Sequence, residues 1–88
     1  MQTLEILRTE IDAIDRELVA LFERRMAIAT RIGEAKAAAG VAVLDEAREQ
    51  RVVENALRHS APENHAAISA FMRNLMELSR ARQRGRGV

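Results

Sequence analysis

One amphipathic stripe constrains this chain more than any other feature. Leu4, Leu7, Ile11, Ile14, Leu18 and Leu21 follow one another at spacings of three and four, and the pattern resumes at Ile28, Ile32, Ala35 and Ala39. Such spacing predicts a single helix from about Thr3 to about Ala39, with Thr3 as N-cap and Gly40 as the left-handed residue that ends it. A helix of about 36 residues is about 54 Å long. A compact domain of 88 residues has a diameter of roughly 30 Å. One chain of this size cannot cover such a helix along its length. Part of the stripe must therefore meet another chain, most simply in a two-fold homodimer.

Two further helices complete an all-α chain. After the link "GVAV", the stretch "LDEAREQRVVENALRHS" carries an apolar face of Val52, Val53, Ala56 and Leu57, with Asp45 at its start. Pro62 marks the next break and suits the first turn of a third helix, "ENHAAISAFMRNLMELSRARQR". Its stripe runs through Ile68, Met72 and Leu75 to Ser79 and Gln83, with Phe71 alongside. Residues 1–88 read as one domain, with a helical core at about 4–84 and a basic tail at 84–88.

Each helix breaks its own pattern with polar residues. The stripe of the first helix reaches Arg25 where an apolar residue is expected, and Lys36 lies on its flank. Eleven residues separate these two, about 1100° of rotation, so they face within roughly 20° of one another. Arg8 flanks the far end of the stripe. On the second helix the apolar face extends back to Glu49 and Asp45, with Arg48 between them. On the third, Ser79 and Gln83 form an i, i+4 pair.

Each residue has an ordinary reading by itself. Arg25 could snorkel or set register. Lys36 could complement a helix C-terminus, and Asp45 could be an N-cap. Glu49 could pair with any cation. Met72, Met76, Phe22 and Phe71 read as core packing, and His59 and His65 as surface residues of the second connection. Taken together, several charges on interior faces need a reason, because buried charges are costly unless paired. The set would line a polar cavity suited to a small anion that carries a hydroxyl, with cations for its carboxylates, Glu49 for the hydroxyl and Gln83 as a donor to an ether or carbonyl oxygen.

Composition excludes several alternatives. Cysteine is absent, which excludes disulfides and thiolate chemistry, and no metal-ligand cluster or base-activated serine is evident. Fourteen basic residues against thirteen acidic ones, with no Trp or Tyr, give neither the field nor the stacking platforms of a nucleic-acid-binding protein. No apolar run approaches membrane-spanning length, and "MQTLEILRTE" lacks the form of a secretion signal. The expected location is the cytoplasm. Chemistry in such a cavity would be electrostatic rather than covalent.

The ordered runs "LRTEIDAIDRELVALFERRMAIATRIGEAK", "LDEAREQRVVENAL" and "FMRNLMELSRARQ" resemble the all-helical (type II) bacterial chorismate mutases over about residues 4 to 84. The resemblance implies an intertwined homodimer and a Claisen rearrangement of chorismate to prephenate, on the route to phenylalanine and tyrosine, with no cofactor. It implies that Arg8 reaches a substrate carboxylate from the other subunit and that Arg25 binds a carboxylate in its own. Lys36 and Gln83 would hydrogen-bond the ether oxygen. Glu49, with Asp45 nearby, would hold the hydroxyl, Arg48 would add positive potential and Ser79 would assist a carboxylate. Some small mutases of this type are boosted by complexing with the first enzyme of the shikimate pathway, and the basic tail is a candidate docking element. Two alternatives stand beside this reading: an isochorismate-pyruvate lyase of the same fold, and a non-catalytic helical dimerisation module.

Overall fold

The computed structural model describes residues 2–85. It is all-helical, as expected: α1 spans Leu4–Ala39, α2 spans Glu46–Arg58 and α3 spans His65–Gln83. The ends of α1 follow from its sequence. Thr3 Oγ1 accepts the Ile6 N–H at 3.2 Å, satisfying one of the free donors of the first turn. Gly40 adopts φ 68°, ψ 29°, where glycine bears no Cβ penalty. That turn directs the Val41 N–H to the Lys36 carbonyl at 2.9 Å and closes the helix. Asp45 caps α2, its carboxylate accepting the Arg48 N–H at 3.0 Å.

Pro62 sits slightly differently from expectation. It opens a 3₁₀ turn, Pro62–Asn64, and α3 begins only at His65. His65 is half-buried rather than a surface residue, with Nε2 3.2 Å from the Ser60 carbonyl. His59 is exposed. Arg84 and Gly85 form the turn that ends α3. The rest of the basic tail, residues 86–88, lies outside the described residues.

α3 is the central element, packed against both α1 and α2. The resulting body measures 57 × 27 × 15 Å. A helix with its side chains is already about 10–12 Å thick, so a 15 Å slab leaves no depth for a conventional two-sided core. Met26, Ala29, Val53 and Met76 are the buried apolar residues. Every residue from Gln2 to Leu21 is exposed.

The stripe read from the sequence is not the face that this chain buries. Leu4, Leu7, Ile11, Ile14, Leu18 and Leu21 are 46–61% exposed. The face of α1 turned to α3 is instead Met26, Ala29 and Gly33, flanked by half-buried Phe22. Ala29 and Gly33 are small, and at Gly33 the helices nearly touch. A Cβ placed on Gly33 would stand 2.7 Å from Gln83 Cα and 2.9 Å from its carbonyl carbon, closer than side chains pack. Phe71, expected in the core, is 53% exposed. It lies on the α3 side of an apolar groove of about 470 Å³ whose other wall is Leu18, Val19, Leu21 and Phe22.

Candidate active site

A cavity of about 310 Å³ opens where the C-terminal half of α1, the start of α2 and the C-terminal half of α3 converge. α1 supplies Arg25, Ile28, Ala29, Ile32 and Lys36. The α1–α2 link adds Val43, and the first turns of α2 add Asp45, Arg48, Glu49 and Val52. α3 contributes Met76, Ser79 and Gln83. The cavity thus gathers Arg25, Lys36, Asp45, Arg48, Glu49, Ser79 and Gln83, all singled out from the sequence. Arg8 is not among them. It is exposed on the uncovered part of α1, seventeen residues before Arg25 and so about 25 Å away along the axis.

Lys36 and Gln83 are held in one hydrogen-bonded array. Lys36 Nζ donates to the Val43 carbonyl at 2.5 Å and to Gln83 Oε1 at 2.9 Å. Gln83 Nε2 donates in turn to Ser79 Oγ at 3.4 Å. Ser79 is 8% exposed, so its hydroxyl needs such a partner. An ammonium has only donors, and two of the three N–H groups of Lys36 are engaged within the chain. The third is free to face the cavity.

The other polar residues are set by different constraints. Asp45 is both a helix cap and a lining residue. Glu49 is bound by a residue that the sequence did not single out: Arg80 Nη1 donates to its two carboxylate oxygens at 2.5 and 2.6 Å. This is the only ion pair among the described residues. Arg25, Lys36 and Arg48 therefore line the cavity without a carboxylate partner of their own. Arg25 has its pKa lowered from the ordinary value, first by loss of hydration on burial and then by the positive charge of Arg48. An arginine so shifted remains cationic near neutral pH, and a bound anion would relieve both penalties.

Four cations (Arg25, Lys36, Arg48 and Arg80) against two carboxylates (Asp45 and Glu49) leave a surplus of two positive charges around the cavity. Ile28, Ile32, Val52 and Met76 supply apolar walls, which strengthen the field of those charges. The arrangement can hold a compact dianion, orient a hydroxyl and place two N–H donors on one oxygen. It offers no nucleophile poised beside a base.

Arg80 and Gly33 escaped the sequence reading. Arg80 lies about 100° around the helix from Ser79, off the line that identified the others, and its partner is on a different helix. Gly33 was readable only as an interruption of helix propensity, without the backbone that it lets approach.

The family described as chorismate mutase type II matches residues 7–84. The chain is 41% identical over 51 residues to the intracellular chorismate mutase of Mycobacterium tuberculosis, covering 58% of this chain and 49% of that protein. It is 41% identical over 58 residues to the bifunctional chorismate mutase/prephenate dehydratase of Aquifex aeolicus, covering 66% of this chain and 16% of that protein. It is 32% identical over 75 residues to the 4-amino-4-deoxychorismate mutase of Streptomyces venezuelae, covering 85% of this chain and 71% of that protein. The chain thus spans about half the length, or less, of the relatives it matches at 41%. No solved structure gives a significant match. The family match takes in all three helices and every residue that lines the cavity, and the chain belongs to the chorismate mutase type II family.

Proposed function

We propose that this chain catalyses the Claisen rearrangement of chorismate to prephenate. The observation that carries the proposal is the Lys36–Gln83 array in a cavity with surplus positive charge. In the reaction the ether C–O bond breaks as a C–C bond forms between the enolpyruvyl side chain and the ring. Product and substrate are isomers, and no proton, electron or cofactor enters the balance. Two tasks remain for a protein. One is to hold the folded conformer in which the carbon termini meet, which is orientation. The other is to stabilise negative charge on the ether oxygen as its bond lengthens.

The cavity residues divide these tasks. Arg25, partly stripped of water, binds one carboxylate of the substrate. Arg48 adds positive potential and Ser79 assists a carboxylate. Glu49, with Asp45 adjacent, accepts the ring hydroxyl. The free N–H of Lys36 and the amide N–H of Gln83 meet the ether oxygen. Because Lys36 occupies Gln83 Oε1, the amide presents its donor rather than its acceptor, as an oxygen gaining negative charge requires.

The proposed working form is an intertwined homodimer, with Arg8 of each chain reaching the second carboxylate in the other's cavity. The exposed stripe from Leu4 to Leu21 and the apolar groove beside Phe71 support it, since patches of that kind mark interfaces. Residues 1–88 would act as one domain in the cytoplasm, consistent with the "intracellular" mutase among the relatives. A regulatory partner from the shikimate pathway, gripping the basic end of the chain, remains part of the proposal. Among the described residues no helix is long and apolar enough to cross a membrane.

The decisive experiment is an assay of purified protein with chorismate, following loss of the diene absorbance and identifying the product. Prephenate supports the proposal, salicylate with pyruvate would indicate the lyase, and no turnover by a folded protein would sink it. The relatives' names carry a second substrate, 4-amino-4-deoxychorismate, with an amino group in place of the ring hydroxyl. The engagement of Glu49 by Arg80 favours the hydroxyl compound.

A further inference from the structure

Glu49 is the only carboxylate of the cavity held in an ion pair, and its cation, Arg80, is not itself a lining residue. Both oxygens of Glu49 lean on one guanidinium nitrogen, at 2.5 and 2.6 Å, and both side chains are largely shielded, at 24% and 21% exposure. Arg80 is not needed to attract a dianion, because Arg25, Lys36 and Arg48 already face the cavity. Its effect is local and falls on Glu49.

A hydroxyl and an ammonium make different demands on that carboxylate. A hydroxyl needs one acceptor lone pair, and a carboxylate paired with arginine still has lone pairs to offer. An ammonium leaving water needs uncompensated negative charge. Beside Glu49 it would find that charge already cancelled, and it would stand within about 5 Å of the Arg80 guanidinium, one hydrogen bond beyond each side of the carboxylate. Asp45 is the remaining carboxylate, but one of its oxygens is engaged in capping α2 and the unpaired Arg48 lines the same cavity. Like charges brought together in this way discriminate strongly against the wrong partner.

We infer that Arg80 is a specificity-determining residue: by neutralising Glu49 it makes the cavity select a ring hydroxyl over a ring ammonium. The inference rests on the reading of the cavity as a chorismate site and deepens it. Arg80 acts through Glu49, so it is a positioning residue and not a catalytic one.

The test is the ratio of kcat/KM for chorismate to that for 4-amino-4-deoxychorismate, measured on the full chain as wild type, Arg80→Met and Arg80→Lys. The wild type should favour the hydroxyl substrate by about tenfold or more. Arg80→Met should move the ratio toward the amino substrate by about tenfold or more, while Arg80→Lys, which keeps the charge, retains the wild-type ratio. If Arg80→Met slows both substrates in equal proportion, Arg80 merely supports Glu49 and the inference is overturned. Equal use of both substrates by the wild type overturns it with no variant at all, so a variant that fails to fold does not shelter it. Turnover of neither substrate by folded wild-type protein refutes the chorismate reading itself and the inference with it. That outcome is distinguishable from an active but unselective mutase.

Discussion

Lys36 donates to Gln83 Oε1 across 2.9 Å, joining residues 47 apart in sequence. This contact fixes which end of the amide faces the cavity, because an ammonium can only donate and so must meet the oxygen. The donor role proposed for Gln83 follows from its neighbour.

Replacing Gln83 by Glu tests that role through pH. An amide donates at any pH, whereas a carboxyl donates only when protonated, and its ordinary pKa is about 4.3. Lys36 alongside favours the charged, non-donating form. We predict that Gln83→Glu loses about 10²–10³ in kcat at neutral pH and regains activity as the pH falls. A kcat–pH profile parallel to that of the wild type would remove Gln83 from the ether oxygen.

Lys36→Ala removes the cationic donor and also the anchor on Gln83 Oε1. The expected loss in kcat is about 10²–10³ or more, with the helical circular-dichroism signal retained. Near-normal kcat would refute the assignment.

Gly33→Ala probes the close approach of α1 to α3 without changing a polar side chain. The added methyl meets the Gln83 backbone rather than a side chain that could swing away. Overpacking of this kind costs about 1–3 kcal/mol. The prediction is a lower Tm together with reduced kcat, because the residue pushed aside is the one proposed to donate to the ether oxygen. An unchanged Tm would mean that the helices separate freely.

Arg8 lies outside the cavity of its own chain, so its proposed use across the dimer makes a mixing prediction. Arg8→Ala and Lys36→Ala should each be nearly inactive alone. In a mixed dimer, one site combines the intact Lys36 of the first variant with the intact Arg8 of the second. Random exchange puts about half of the dimers in the mixed form, each with one complete site, so about a quarter of wild-type activity should return. No recovery after demonstrated subunit exchange would show that Arg8 does not act across the interface.

The sequence was most legible where two signals coincided. Arg25, Lys36, Glu49, Ser79 and Gln83 announced themselves as polar residues on or beside apolar lines, and the helices carry them to one cavity. Thr3, Gly40 and Asp45 were readable because helix ends have local chemistry. The buried face of α1 was not legible, since Ala29 and Gly33 carry little hydrophobic signal and owe their importance to how near α3 comes. The large residues of the stripe dominated the reading, yet this chain leaves them exposed. Arg80 needed the third dimension: nothing in "ELSRARQ" distinguishes it from Arg82 until α2 is laid alongside. Phe71 reads as inward from its apolar character and its place beside the stripe, yet α3 turns it outward toward the groove.

Gln83 is the last residue of α3, and the last turn of a helix is ordinarily where fraying begins. Here that turn is wedged against Gly33, so an end that would normally loosen is clamped at the main chain. The residue proposed to feel the breaking bond therefore sits at the boundary between ordered helix and the chain that follows. A change in the turn at Arg84 and Gly85 would reach the proposed ether donor through a single peptide link, with no need to reshape the cavity.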